Sequence, residues 1–323
     1  MIRFSFALLF TPMLIAAELP KPEKGTVEIQ ADDEKSGVPE RYRMKAAKFD
    51  FEMVLKYRLS ASEIDVFTLT FPSPVKSKEA SNDTVFAEYF RPKNATKRPG
   101  VLILDILDGA LVVARGEALW LAQHDIPSLI VQMPYYGPRR PPGSKERMLT
   151  ADVPKSIANI EQAVLDGRRA LAWLETRPEV DPQKLAVLGT SLGSFVGGVI
   201  AGVEPKVKSA CLLLGGGGLI DSFSEHPKAG PVLGMMALVG ITPDKLKAMI
   251  AGVDPITYAR GLKGKRLLLI GASRDDIVPP SAMKRLWEAT GKPKIIWVDE
   301  THVGAALHLI QMLRSVTGHL NEK

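Results

Sequence analysis

Leu185-Ala186-Val187-Leu188-Gly189-Thr190-Ser191-Leu192-Gly193 is the stretch whose reading decides the fold. Leu185 to Leu188 is a short apolar run of the kind that forms a buried strand. The small-residue stretch Gly193 to Gly202 after it reads as a closely packed helix. Between them stands G-x-S-x-G. On a sharp strand-to-helix turn the serine is forced into a strained backbone conformation, and its hydroxyl is lifted above the sheet. Side chains two residues before and after it would collide, and glycine at 189 and 193 avoids the collision. The turn also aims the N–H of Leu192 and the helix start at one point, which suits a negative charge developing on oxygen. The bare pattern is weak, and a Ser or Thr that merely caps a helix looks similar. The strand before and the helix after make Ser191 a candidate nucleophile.

Working outward, short apolar segments alternate with helical ones. Asp65 to Phe71, Thr84 to Phe90, Val101 to Leu107 and Ser128 to Met133 read as strands, as do Leu185 to Leu188, Val207 to Leu214, Arg266 to Ile270 and Lys294 to Val298. Helical segments are expected at Leu111 to Gln123, along Ile157, Ile160, Val164, Leu171 and Leu174, and near 280–290 and 304–316. This alternation predicts an α/β fold: about eight strands in one mostly parallel sheet, flanked by helices on both faces. Residues 219–260 break the rhythm. They are expected to form a small, cap-like helical insertion over the carboxyl edge of the sheet, with pieces near 231–239 and 243–251. Residues 18–62 are charged and uneven, and read as an N-terminal extension with one helix near 45–57.

The first 17 residues, MIRFSFALLFTPMLIAA, begin with Arg3, continue apolar and end on two alanines. That is the layout of a secretory signal peptide cleaved after Ala17, and it predicts a secreted or periplasmic protein. No later run is long enough to span a bilayer, so no stable membrane insertion is expected after cleavage. Of 323 residues, 46% are hydrophobic and 24% charged, which excludes a disordered chain. A net charge of +6 with no dense basic run gives no reason to expect nucleic acid as a partner. The 5 histidines are scattered and the single cysteine, Cys211, lies in an apolar run, so no metal site is expected. Gly215 to Gly218 lacks the Lys-Ser/Thr of a phosphate loop, and no G-x-G-x-x-G opens the early sheet; no cofactor is expected.

A serine hydroxyl needs a neighbour to take its proton. On this kind of turn the acid and then the histidine follow the serine along the chain. His302 follows the strand Lys294 to Val298 directly, at the carboxyl end where α/β sites lie. The acid is sought after the strand Arg266 to Ile270, where Asp275 and Asp276 stand side by side; such residues also cap helices. It would hold the imidazole in one tautomer. A second oxyanion donor is expected in Leu104-Asp105-Ile106-Leu107-Asp108-Gly109, with the N–H of Leu107 first and Asp108 next. Tyr135, Tyr136 and Arg139 sit on the proline-stiffened loop Gln132 to Pro142. They are read as substrate-binding rim residues that meet a sugar face or a carboxylate, or else as a packed loop.

Together these residues resemble the α/β-hydrolase family over about residues 63–323. Gly189-Thr190-Ser191-Leu192-Gly193 looks like its nucleophile elbow. Asp254-Pro255 with Tyr258-Ala259, and Lys265 to Gly271 with Asp275 to Pro279, look like the stretch that carries its acid, and His302 looks like its base. The family spelling Asp-x-x-Val-Pro puts Asp275 in the role, with Asp276 as the fallback. The closest flavour is that of the dienelactone-hydrolase, acetylxylan-esterase and prolyl-oligopeptidase branches. The resemblance implies a serine hydrolase, most simply a carboxylic-ester hydrolase with a Ser-His-Asp triad and an acyl-enzyme, acting on a small-molecule or carbohydrate ester. It does not name the substrate, since one fold hosts many activities. The alternatives are a serine peptidase, disfavoured because no propeller-sized N-terminal domain is present, and a non-catalytic binding module on the same scaffold.

Overall fold

Apolar alternation sets the first four strands of the protein, β1 (Glu23–Ile29), β2 (Ala47–Leu59), β3 (Ile64–Pro72) and β4 (Thr84–Pro92), which pair antiparallel in succession. The computed structural model describes residues 21–30, 33–225, 240 and 242–322. The expected signal segment 1–17 and the expected helix near 231–239 lie outside the described residues. β2 corrects the expected helix near 45–57. Its stretch is rich in helix-forming Lys, Glu, Met and Leu, yet Phe49, Phe51 and Met53 are buried at every second position. Period two defeats composition here because the burial of one face decides the element. Residues 23–59 thus form two strands of the sheet, where an extension had been expected.

Six further strands are parallel: β5 (Arg98–Leu104), β6 (Ser128–Val131), β7 (Val180–Thr190), β8 (Val207–Leu213), β9 (Arg266–Ala272) and β10 (Lys294–Val298). The sheet has ten strands, in the order β1-β2-β3-β4-β6-β5-β7-β8-β9-β10. It is mixed, its parallel half lying at the β6 to β10 end. Parallel strands are covered on both sides, so they read as continuous apolar runs. Along β5, Val101 and Ile103 pack under α1 (Val112–Ala122), while Leu102 and Leu104 pack under α2 (Val153–Leu174) and α3 (Leu192–Val203). After β5 the chain steps to β6 on one side, and β7 returns on the other. The carboxyl ends of β5 and β7 therefore flank the point where strand order reverses, the usual place for a crevice.

The region 219–260 contributes α4 (Leu219–Ser224), α5 (Pro243–Ile250) and the start of α6 (Ala259–Lys263). α7 (Pro280–Ala289) and α8 (Leu309–Asn321) complete the described helices. Among the described residues no helix is long and apolar enough to cross a membrane. Cys211 is buried in β8, where burial pushes its thiol far up.

Among the ties between the N-terminal segment and the rest is one buried cation. Arg168 of α2, almost fully buried, meets Asp33 at 2.9 Å and Glu204 at 2.8 Å, and also donates to the Tyr42 carbonyl. Both charges must be met inside, because an unpaired buried ion is costly. Arg168→Ala is expected to cost about 3–5 kcal/mol by leaving two acids without their partner. The midpoint of urea unfolding measures this, and an unchanged midpoint would refute the assignment.

Candidate active site

At the end of β7 the backbone turns sharply. Ser191 has φ 54° and ψ −117°. An L residue held there carries strain on the order of 1–3 kcal/mol, so its surroundings must over-determine it. The Ser191 N–H donates to the Leu213 carbonyl of β8 at 2.9 Å, and the Ser194 N–H returns to the Ser191 carbonyl at 2.9 Å. A Cβ on Gly193 would fall 2.0 Å from the Leu104 carbonyl of β5, and one on Gly189 would fall 2.1 Å from the Gly193 carbonyl. Three strands and α3 meet here at a distance only glycine permits.

The structure brings together three side chains from distant stretches. His302 Nε2 lies 2.9 Å from Ser191 Oγ, and His302 Nδ1 lies 2.7 Å from Asp275 Oδ2. Each follows a parallel strand: Ser191 follows β7, Asp275 follows β9, and His302 follows β10. Asp275 is buried, and its Oδ1 accepts the N–H of Val278 at 2.7 Å and of Ile277 at 3.0 Å. Asp276 is exposed and only touches the His302 backbone N–H, at 3.4 Å. The geometry thus selects Asp275 over its neighbour. A hydrogen-bonded relay of this kind can draw a proton from the serine while the carboxylate fixes the imidazole.

The loop after β5 is built by Asp105. Its buried carboxylate accepts the N–H of Leu111 at 2.8 Å and of Ala114 at 3.3 Å, capping α1. Burial pushes this carboxyl up, against the backbone hydrogen bonds it accepts, including that of Ile106. With the Ile106 N–H so used, the Leu107 N–H has no partner among the described residues. Leu107 is 51% exposed and, like Leu192 and Ser191, borders an apolar cavity of about 400 Å³. A larger, open depression of about 650 Å³ runs beside β1 and β2 and holds none of the three relay side chains. Among the described residues, no group of three or more His, Cys, Asp or Glu is placed to hold a metal ion.

Of the two readings of Tyr135, Tyr136 and Arg139, the structure shows the packed loop: all three are buried, and none is among the described residues that border the cavity. Arg139 is 0% exposed and forms an ion pair with Asp166 at 2.7 Å. It also donates to the carbonyls of Gln132 and Asn82. A guanidinium so enclosed holds its own loop and is not available to a substrate. Tyr136 packs its ring on the backbone at Gly109, and Gln132 donates to the Gly109 carbonyl at 2.9 Å. These side chains brace the loop that presents Leu107. The loop's mixture of Tyr and Arg fits both readings because an amphipathic side chain serves a rim and a core equally well.

One residue of the site escapes sequence reasoning. Glu117, on α1, is completely buried, and Thr190 Oγ1 donates to its Oε1 at 2.6 Å, directly before Ser191. Its Oε2 has no partner among the described residues. The signal was present as a lone carboxylate on the apolar stripe of Ala114, Ala118 and Leu121.

No protein-family model matches the chain. An uncharacterised protein of Mycobacterium tuberculosis, found in two strains, is 27% identical over 182 residues, or 53% of this chain. The match covers 41% of those relatives, so the chain spans about two fifths of the length of the curated proteins it matches. Among solved structures, acetyl xylan esterases from a Paenibacillus species and a Thermoanaerobacterium species superpose with a TM-score of 0.63 each, at 20% and 16% identity. These two cover 83% and 84% of this chain, and 87% and 88% of their own. A Pyrococcus furiosus esterase follows with a TM-score of 0.56 and 15% identity, over 83% of this chain and 94% of its own. The chain has the α/β-hydrolase fold.

Burial pushes the Glu117 carboxyl up to about 8, the Thr190 hydroxyl opposing and Asp105 adding to the shift. Unfolded, it titrates in the ordinary carboxylate range, about 4.3. Between these values the unfolded chain releases a proton that the native protein keeps, so stability falls as pH rises through this window. Glu117→Gln keeps the acceptor for Thr190 and removes the ionisation. Urea unfolding at pH 5 and pH 8 should show a loss of a few kcal/mol in the parent that is flattened in the variant. Equal slopes would contradict it.

Proposed function

We propose that the protein is a serine hydrolase that cleaves carboxylic esters through an acyl-enzyme. Ser191 Oγ attacks the carbonyl carbon while His302 Nε2 takes its proton and then returns it to the leaving oxygen. Asp275 holds the imidazole and stabilises its charged form. The N–H groups of Leu192 and Leu107 receive the oxyanion. Water then enters, deprotonated by the same imidazole, and releases the acid. The observation that carries this reading is the unbroken chain of two hydrogen bonds, 2.9 Å and 2.7 Å, from a strained, partly exposed hydroxyl to a buried carboxylate. Esterases among the structural neighbours support ester hydrolysis as the general class. The substrate is a small-molecule or carbohydrate ester, and the residue pattern at 1–17 supports action outside the cytoplasm.

Ser191→Ala should fold with unchanged circular dichroism and lose about 10⁴-fold or more in kcat on an activated ester such as p-nitrophenyl acetate. A fluorophosphonate should add to Ser191 in the parent and be located there by peptide mass spectrometry. A variant that retains full turnover, or a parent that resists the label, overturns the proposal. Peptide amides run beside the esters separate it from the peptidase alternative.

A further inference from the structure

The cavity beside Ser191 has a composition and a placement that bear on the ester itself. Its walls come from α2, α3, α4, α5 and the loops after β5 and β9, with Leu149, Ile157, Ile160, Phe195, Phe223 and Ile250 among them. Among the described residues that border it none is charged, and apart from Ser191 the polar ones are Thr150 and Ser156. A sugar placed inside would bury hydroxyls against aliphatic walls that offer them almost no partners, which is unfavourable. An acetyl group would leave most of the 400 Å³ unfilled. An alkyl or aryl chain gains from every apolar group it withdraws from water.

The placement says which half of the ester this is. His302 must reach the leaving oxygen to protonate it, so the alcohol lies on the His302 side of Ser191. His302 does not border the cavity, whereas Leu192 and Leu107 do. Beyond His302 the surface is open: Val303 is 73% exposed and Leu307 84%. The carbonyl oxygen therefore sits at the cavity mouth, the acyl chain runs inward along α2 and α3, and the alcohol faces solvent.

Resting on the serine-hydrolase reading above, we infer that the enzyme selects esters by an apolar acyl chain of medium length, aliphatic or aromatic, and is indifferent to the size of the alcohol. An acylated sugar remains a substrate in this arrangement only with the sugar as the outward-facing alcohol. The selecting residues are those of α2 and α3, with α4 and α5 contributing, and the Tyr-Arg loop takes no part.

The test uses the full-length protein and two ester series. In the first, p-nitrophenyl acetate, butanoate, hexanoate and octanoate vary the acyl chain. In the second, hexanoate esters of methanol, butanol and glucose vary the alcohol, followed by acid release. kcat/KM should rise about threefold to fourfold per added CH₂ from acetate to hexanoate, and stay within a few-fold across the alcohols. Ile157→Trp, placed in the cavity wall, should collapse the hexanoate-to-acetate ratio toward one; Ile160→Phe serves the same purpose if that variant does not fold. A ratio left intact in the folded variant overturns the placement of the chain along α2. An acyl profile that is flat or falling, or a preference that follows the alcohol, overturns the inference while fluorophosphonate labelling of Ser191 leaves the hydrolase reading standing. Absence of both label and turnover removes the hydrolase reading and the inference with it.

Discussion

Everything at the candidate site depends on how closely the end of β7 and the first turn of α3 approach the end of β5. The Leu104 carbonyl and the backbone of Gly193 occupy the space a side chain would need. That contact lets α3 start immediately after the strand, with Ser191 left in a conformation it would not adopt alone. The strain is sustained by the sheet: Ser191 is hydrogen-bonded to β8 on one side while β5 closes in on the other. Strand order reverses between β5 and β7, so the loop bearing Leu107 and the turn bearing Ser191 emerge side by side. Fold and chemistry meet in this one steric constraint.

Around it, three carboxyl groups are handled in three ways. Asp275 is met by two backbone N–H groups and an imidazole, so a charge there is compensated from several directions. Asp105 spends its acceptors on the start of α1 and thereby shapes the oxyanion loop. Glu117 has a single hydroxyl donor among the described residues, and burial pushes its carboxyl up to about 8. Only Asp275 lies within reach of the imidazole. The same functional group thus serves as an orienting group, a helix cap and a buried prop, and the partners around each decide which.

Much of this was legible in the chain. The strand-turn-helix at 185–202 and the apolar runs at 207–214, 266–270 and 294–298 announce the parallel half of the sheet, and residues just past such strands were natural places to look for Asp275 and His302. The two adjacent aspartates could not be separated by spacing, because they differ only in which way each side chain leaves the loop. β2 was misread because its helix-forming composition outvoted a period visible at Phe49, Phe51 and Met53. β1 was missed because its partner was. Arg139 stays undecided between rim and packed loop in the sequence because its partner Asp166, remote in sequence, leaves no trace in the local pattern. Burial by distant residues is what a one-dimensional reading lacks.

The Arg168 clasp has a kinetic consequence. Asp33 stands 135 residues before the arginine that holds it, in the connection between the edge strand β1 and β2. Closing so long a loop consumes chain entropy well before any contact rewards it. The clasp therefore closes only once α2 has reached this connection, whereas β2 can pair with its sequence neighbour β3 before that.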